Sequence, residues 1–252
     1  MKPIEDEASI LAELRAISDR GAANSRFDKK KSALGSATSN TTSEKPGEST
    51  TSDTYTRTSD AFLVNNPENS NFNQYWYSSE TIKILSEAIL EILSNIGGAR
   101  VAFLSTPSLY FALPEKERRF CQLFEFDKTW SNDVGYVHYD FNRPESIDDT
   151  LQKSFDMVVI DPPFITKDVW EKYALTAKLL LKEDPFADFG KKGVVLGTTV
   201  SENASLMKDL FGAEPIVFKP VIPHLVYQYN VYINCPKDCK TLKKANPEIR
   251  ND

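Results

Sequence analysis

Short, almost uninterrupted apolar runs spaced along the middle of the chain constrain its fold more than any other feature. They read "RVAFLS" (100–105), "CQLFEF" (121–126), "YVHYDF" (136–141), "FDMVVI" (155–160) and "GVVLGTT" (193–199). Each has the length of a strand and is rich in β-branched or aromatic residues. Most lack the apolar–polar alternation of a half-exposed strand, which points to burial on both faces. Helical patterns lie between several of them, as in "KDVWEKYALTAKLLLK". Such an alternation specifies a mostly parallel sheet covered by helices on both sides. A further helix precedes the first strand in "SSETIKILSEAILEILSNIGG". Ser78 or Ser79 caps it, Glu80 sits in its first turn, Ile82, Leu85, Ile89, Leu90, Leu93 and Ile96 recur at helical spacing, and Gly97 and Gly98 end it. After "SLMKDLFG", the segments "PIVFKPVIPH" and "LVYQYNVYIN" leave no room for a helix between them. They are predicted to pair antiparallel through a short connection near Pro223 and His224.

The stretch before the sheet has a different texture. Residues 21–60 are dominated by Ser, Thr, Asn, Lys and Gly and offer little apolar surface to offset the entropy of ordering. The expected organisation is a mostly disordered extension over 1–68, with a short possible helix around Ile10–Ile17, followed by one globular domain over 69–252. The basic run Lys29–Lys31 reads as a solvated charge run. With 252 residues, 40% of them hydrophobic, the chain can build one sizeable core. A net charge of −6 disfavours nucleic acid as a partner, since that affinity comes mainly from neutralising phosphates. Three cysteines, Cys121, Cys235 and Cys239, show no disulfide-framework spacing, and the acidic start lacks a signal-peptide apolar run. An intracellular, cytoplasmic location is expected. No run reaches the roughly eighteen apolar residues of a membrane span, and a monomer is expected. Cys235 and Cys239 lack a second ligand pair, so no metal site is expected. His138, with no paired serine or cysteine, reads as a core or ligand-edge residue.

In open α/β sheets, ligands bind outside the carboxyl ends of the strands, and polar groups gather there in this sequence. "STPSLY" follows the first run and lacks a glycine-rich dinucleotide fingerprint. Thr106 as N-cap and Pro107 as first helical residue would form a helix start with free N–H groups, able to receive a carboxylate or to be a plain cap. Glu125 and Asp127 close the second run, and either can accept hydrogen bonds from ribose hydroxyls. Asp140 in "YDFN" can accept from an adenine amino group, with Phe141 offering its ring. "DPPF" (161–164) follows the fourth run and carries the most specific chemistry. A nitrogen nucleophile attacking a methyl group must present its lone pair while its hydrogens are held elsewhere. The carboxylate of Asp161 and the carbonyl of Pro162, fixed in direction by the adjacent prolines, supply two acceptors. Phe164 adds an aromatic face for a planar base or a cationic amine.

A "[DN]-P-P-[FYW]" loop after the fourth strand of such a sheet resembles the signature of amino-group methyltransferases that use S-adenosylmethionine, including N6-adenine DNA methyltransferases. "FNQYWYSSET", "FLSTPSLYFAL", "LFEFDKTW", "YDFNRP", "FDMVVIDPPF" and "FKPVIPHLVYQYNVYINC" together resemble a narrower family, the protein-lysine N-methyltransferases of translation elongation factor 1-alpha. The similarity runs from about residue 71 to 239. The resemblance implies a Rossmann-like class I methyltransferase fold, with a mostly parallel seven-stranded sheet ending in an antiparallel hairpin. It implies S-adenosylmethionine as cofactor and elongation factor 1-alpha as protein substrate. Adenine in DNA or RNA, or an inactive binding module, are the alternatives. On these positions, Trp76, Tyr77 and Ser78 would close over the cofactor or the substrate channel. Ser105, Pro107 and Ser108 would line the amino-acid end of the cofactor, Glu125 or Asp127 would hold the ribose, and Asp140 with Phe141 the adenine. Asp161, Pro162, Pro163 and Phe164 would be catalytic. A lysine acceptor makes one further demand, because an ammonium of pKa near 10.4 loses its proton at pH 7 at a cost of about 4.6 kcal/mol. The apolar wall and the sulfonium's positive charge would favour the neutral amine that Asp161 and the prolyl carbonyl position.

Overall fold

The computed structural model describes residues 51–186, 193–235 and 239–249. The segment around Ile10–Ile17, the rest of the extension through residue 50 and the Lys29–Lys31 run lie outside the described residues.

The first described element is helix α1 (Thr51–Asn65), whose first ten residues fall in the stretch that composition marked as disordered. Phe62 corrects that expectation. It is buried, stacks on Phe111 and Trp130 and meets Trp76 edge-on, while Thr58 Oγ1 donates to the Ala112 carbonyl. One buried aromatic and its neighbours outweigh the weak local propensity of a Ser/Thr-rich segment. The compact unit accordingly includes residues 51–68.

Helix α2 (Ser79–Ile96) forms as expected, with Ser78 as its cap: the Ser78 side chain accepts from the Thr81 N–H. Gly97, at φ 64°, ends it in the left-handed conformation that favours glycine. The strands follow as β1 (Val101–Leu104), β2 (Gln122–Glu125), β3 (Tyr136–His138), β4 (Met157–Ile160), β5 (Val194–Val200), β6 (Glu214–Pro215) and β7 (Tyr229–Ile233). Between them lie α3 (Pro107–Ala112), α4 (Glu115–Arg118), α5 (Lys167–Leu180) and α6 (Ala204–Phe211). The sheet order is β3-β2-β1-β4-β5-β7-β6. The first five strands are parallel and β7 runs antiparallel to both β5 and β6.

Burial explains why the strand runs carry so little polar alternation. Val101 and Phe103 of β1, Met157 and Val159 of β4, and Val194 and Leu196 of β5 face one core with Ile82, Leu85 and Ile89 of α2. Ala102 and Leu104, Val158 and Ile160, and Val195 face the other, with Trp170 and Tyr173 of α5 and Met207 and Phe211 of α6. Both faces are covered, so these positions of β1, β4 and β5 are apolar.

The terminal pair is antiparallel as expected, but its connection is not short. Only Glu214 and Pro215 form β6, and residues 216–228 join it to β7. Pro215, Pro220 and Pro223 cannot donate to a ladder, which leaves this edge short. His138 also departs from a core placement: it is exposed, with Nδ1 3.2 Å from the Tyr136 hydroxyl and its ring 5.5 Å from that of Phe126.

The last described residues are tied to α2. Glu91 accepts from the backbone N–H groups of Lys240 and Thr241 and from Thr241 Oγ1. Asn246 Nδ2 donates to Thr81 Oγ1 at 3.2 Å, and Ser78 Oγ donates to Glu248. No described helix is long and apolar enough to cross a membrane.

Candidate active site

Sheet register places the functional positions side by side. Leu104 is paired with Ile160, and Ile160 with Gly197, so Ser105 and Asp161, just past their strands, lie at the level of Thr198 within β5. The Asp161 N–H donates to the Leu104 carbonyl at 3.2 Å. Leu104 is also paired with Phe124, which brings Glu125, and His138 opposite it on β3, to the same level. The acids read from the sequence thus share one edge of the sheet.

Asp161 lies at the centre of this edge. The residue keeps partial exposure, but its carboxyl points inward. Thr198 Oγ1 donates to Oδ1 at 2.7 Å, and the Tyr77 hydroxyl lies 2.6 Å from Thr198 Oγ1 and hydrogen-bonds to Asp161 as well. Burial pushes the Asp161 carboxyl up to about 6, while the hydrogen bonds from Tyr77 and Thr198 pull it back. Tyr77, in turn, is held well above the usual phenol range by burial and by the Asp161 charge. Tyr229, the first residue of β7, is raised by burial and again by Asp161. Pro162 is buried, and its carbonyl accepts no hydrogen bond from the described residues. The next carbonyl, that of Pro163, is taken by Asn73 Nδ2. Phe164 packs at the margin of the core formed with α5 and α6.

The two candidate ribose acids differ in what already occupies them. Asp127 accepts from Thr129 N–H and Oγ1 through Oδ1 and from Gln74 Nε2 through Oδ2. Glu125 is buried, takes the Asp127 N–H on Oε1 at 2.9 Å, and keeps capacity for further donors. Burial pushes its carboxyl up to about 7; the backbone N–H groups of Asp127 and Phe126 lower it, and the Asp127 charge raises it.

At the end of β1, Ser105 adopts φ 56°, a strained backbone for a residue with a Cβ. Its hydroxyl lies 2.7 Å from that of Tyr173. Thr106 precedes Pro107 at the start of α3 as expected, but its side chain makes no capping bond, and its buried Oγ1 has no partner among the described residues. Pro107 and Ser108 are buried beside it. Asp140 binds the Asn142 N–H and Nδ2 through Oδ1 in a local turn. Phe141 stacks on Tyr173 at 5.8 Å, with Lys172 Nζ 5.7 Å from its ring. Trp76 sits elsewhere than the lid position expected of it. Its indole is buried against Phe62 and Trp130 and donates to the Asn66 carbonyl, while Ser78 is engaged as the cap of α2.

Sequence reasoning missed Thr198 and assigned no role of their own to Asn73 and Gln74. Thr198 left a faint signal, a pair of threonines closing the otherwise apolar run "GVVLGTT" at a carboxyl end. Asn73 and Gln74 fall within the quoted run "FNQYWYSSET", but nothing local marks their partners, which are 90 and 53 residues away.

The residues present fit a nucleoside cofactor bearing an amino-acid tail. Acids stand at the ends of β2 and β4, a strained serine takes the place of a glycine-rich loop, and an unpartnered buried hydroxyl lies beside it. A sheet of order 3-2-1-4-5-7-6 with β7 reversed, and an Asp-Pro-Pro-Phe loop at the carboxyl end of β4, define a class I, S-adenosylmethionine-dependent methyltransferase. Residues 68–237 match the family described as "Probable N6-adenine methyltransferase", and the chain belongs to it.

Relatives of the chain carry the names of protein-lysine methyltransferases. EEF1A lysine methyltransferase 1 of Danio rerio is 33% identical over 64% of this chain and 95% of its own length. The human protein of that name is 30% identical over 66% and 75%. The protein-lysine N-methyltransferase EFM5 of Saccharomyces cerevisiae is 34% identical over 55% of this chain, a match spanning 58% of the yeast protein.

Proposed function

We propose that this enzyme methylates the ε-amino group of a lysine on translation elongation factor 1-alpha, acting in the cytoplasm as a monomer. The observation that carries the reading is the inward-facing carboxylate of Asp161 beside the open carbonyl of Pro162, both at the carboxyl end of β4. The substrate is suggested by the name EEF1A lysine methyltransferase 1, carried by the Danio rerio and human relatives.

When bound, S-adenosylmethionine would supply an electrophilic methyl: the lysine ammonium first loses a proton to water, and the C–S bond breaks as the neutral amine forms the N–C bond, leaving a thioether and a methylammonium. Glu125 is the residue to receive the ribose hydroxyls, because Asp127 is already committed to Thr129 and Gln74. Ser105, Pro107 and Ser108, with the unpartnered Thr106 hydroxyl, face the amino-acid end. Asp140 through its remaining oxygen, with Phe141, holds the adenine side. Asp161 and the Pro162 carbonyl accept the amine's hydrogens and so fix the direction of its lone pair. Pro163 and Phe164 complete the loop, Pro163 through its bond to Asn73 and Phe164 as an aromatic wall. Tyr77 closes over the acceptor channel. Trp76 and Ser78 hold that segment in place, Trp76 by packing and Ser78 by capping α2.

The test is transfer of labelled methyl from S-adenosylmethionine to purified elongation factor 1-alpha, beside adenine-containing DNA and RNA, with Asp161→Ala as control. Label on a lysine of the protein that vanishes in the variant is expected. Label on nucleic acid alone would replace the substrate and keep the chemistry.

A further inference from the structure

Asp161 is the residue a motif search finds; what holds it has no motif. Its Oδ1 accepts from Thr198 Oγ1 at 2.7 Å. Thr198 has one hydroxyl proton, and an ionised carboxylate can only accept, so that proton is committed to Asp161. The Tyr77 hydroxyl, 2.6 Å from Thr198 Oγ1, must therefore donate, either to that oxygen or to the carboxylate it also reaches. Both protons run toward Asp161, and neither Thr198 nor Tyr77 takes one from it. The arrangement is rigid because its parts sit on separate, well-packed elements. Thr198 is 1% exposed, on β5 one residue beyond Gly197 and paired with Val231 of β7. At Gly197 a Cβ would come within 2.9 Å of Met207 Cε, so the strand is pressed close to α6. Tyr77 is 2% exposed and immediately precedes the Ser78 cap of α2.

We propose that Thr198 is a positioning residue for methyl transfer: with Tyr77 it forms a two-hydroxyl relay that fixes the Asp161 carboxylate in its ionised form and leaves its remaining lone pairs for the incoming amine. The proposal rests on Asp161 being the residue that receives the acceptor amine. Without the relay, a buried carboxylate would take up a proton and turn a hydrogen-bond acceptor toward the amine into a donor, which cannot orient an N–H. The titratable groups that face Asp161 are the phenols of Tyr77, Tyr173 and Tyr229. All three stay neutral through the range in which the carboxyl titrates, so the hydroxyl donors set its state.

Two readouts separate this proposal from the substrate assignment. The first needs no substrate: the Asp161 carboxyl is titrated by carbon-13 NMR in wild type, Thr198→Val and Thr198→Ser. Loss of a donor to the charged form is expected to raise the midpoint in Thr198→Val by about one pH unit, with Thr198→Ser restoring it. The second is the acid limb of the methyl-transfer rate on elongation factor 1-alpha, which is expected to move by the same amount. An unchanged midpoint in Thr198→Val overturns the proposal whether or not elongation factor 1-alpha is the substrate. A moved midpoint with no transfer to that protein, even in wild type, overturns the substrate reading alone. If Thr198→Val does not fold, Tyr77→Phe decides, since removing the outer hydroxyl must raise the midpoint in the same direction.

Discussion

The ends of β2 and β4 each present one carboxylate buried against its preference, yet the two are held by different means. Glu125 is served by the backbone of its own loop, through the N–H groups of Phe126 and Asp127. Asp161 is served by side chains from sequence-distant elements, Tyr77 and Thr198. Local backbone donors come automatically with a turn after a strand, whereas distant hydroxyls arrive only when the whole sheet is assembled. A site built the first way can be read from a short stretch of sequence. A site built the second way depends on register between strands that the sequence does not display.

Substitution of the two acids sharpens this contrast. The largest effect is expected at Asp161. Its folded midpoint, about 6, lies above the ordinary carboxyl value near 3.9. The folded state therefore binds the proton more tightly, and stability falls as pH rises through that window. Asp161→Asn is expected to raise unfolding free energy at pH 7.5 by an amount on the order of 3 kcal/mol, with the gain shrinking as pH falls through 6 toward 4. Denaturant unfolding at several pH values measures it. A variant no more stable than wild type at neutral pH would mean the distant hydroxyls fully compensate the buried charge.

Glu125→Gln comes next. Ribose hydroxyls donating to Glu125 favour its charged form, so S-adenosylmethionine binding to wild type is expected to tighten as pH rises through about 7. The glutamine variant should bind about 10- to 100-fold more weakly above that pH and lose the pH slope, as calorimetry would show. The smallest effect belongs to Asp127→Asn. With both its oxygens already engaged, it should change cofactor affinity less than about 3-fold, within the modest range of an exposed polar contact. A loss larger than that of Glu125→Gln would exchange the roles of the two acids.

The same division between local and distant support marks how much of this molecule its sequence shows. Five apolar runs gave the parallel strands to within three residues at either end, because burial on both faces leaves a continuous signature. The Ser78 cap and Gly97 stop of α2 were equally plain, each resting on residues within one turn. Helix α1 was missed because a single phenylalanine, Phe62, anchors a segment whose other described residues look unstructured. The long 216–228 connection was missed because its prolines stop a ladder without showing where the chain goes next. At the site, Asp161, Glu125 and Asp140 were legible as acids ending strands. Trp76 shows the limit of that reading: an aromatic beside a ligand edge and an aromatic filling a core look alike in sequence. Thr198 and Asn73 gain meaning only from partners brought to them by the fold.

The ties between the last described residues and α2 bear on the order in which the enzyme comes into being. The Ser78 cap, next to Tyr77, is bonded to Glu248 across 170 positions of chain, and Thr81 to Asn246 across 165. A ribosome making this protein delivers α2 and the Asp-Pro-Pro-Phe loop long before the segment that is tied to α2. The nascent chain thus carries Tyr77 and Asp161 while still lacking the ties to α2, which form only as the stretch around Asn246–Glu248 emerges.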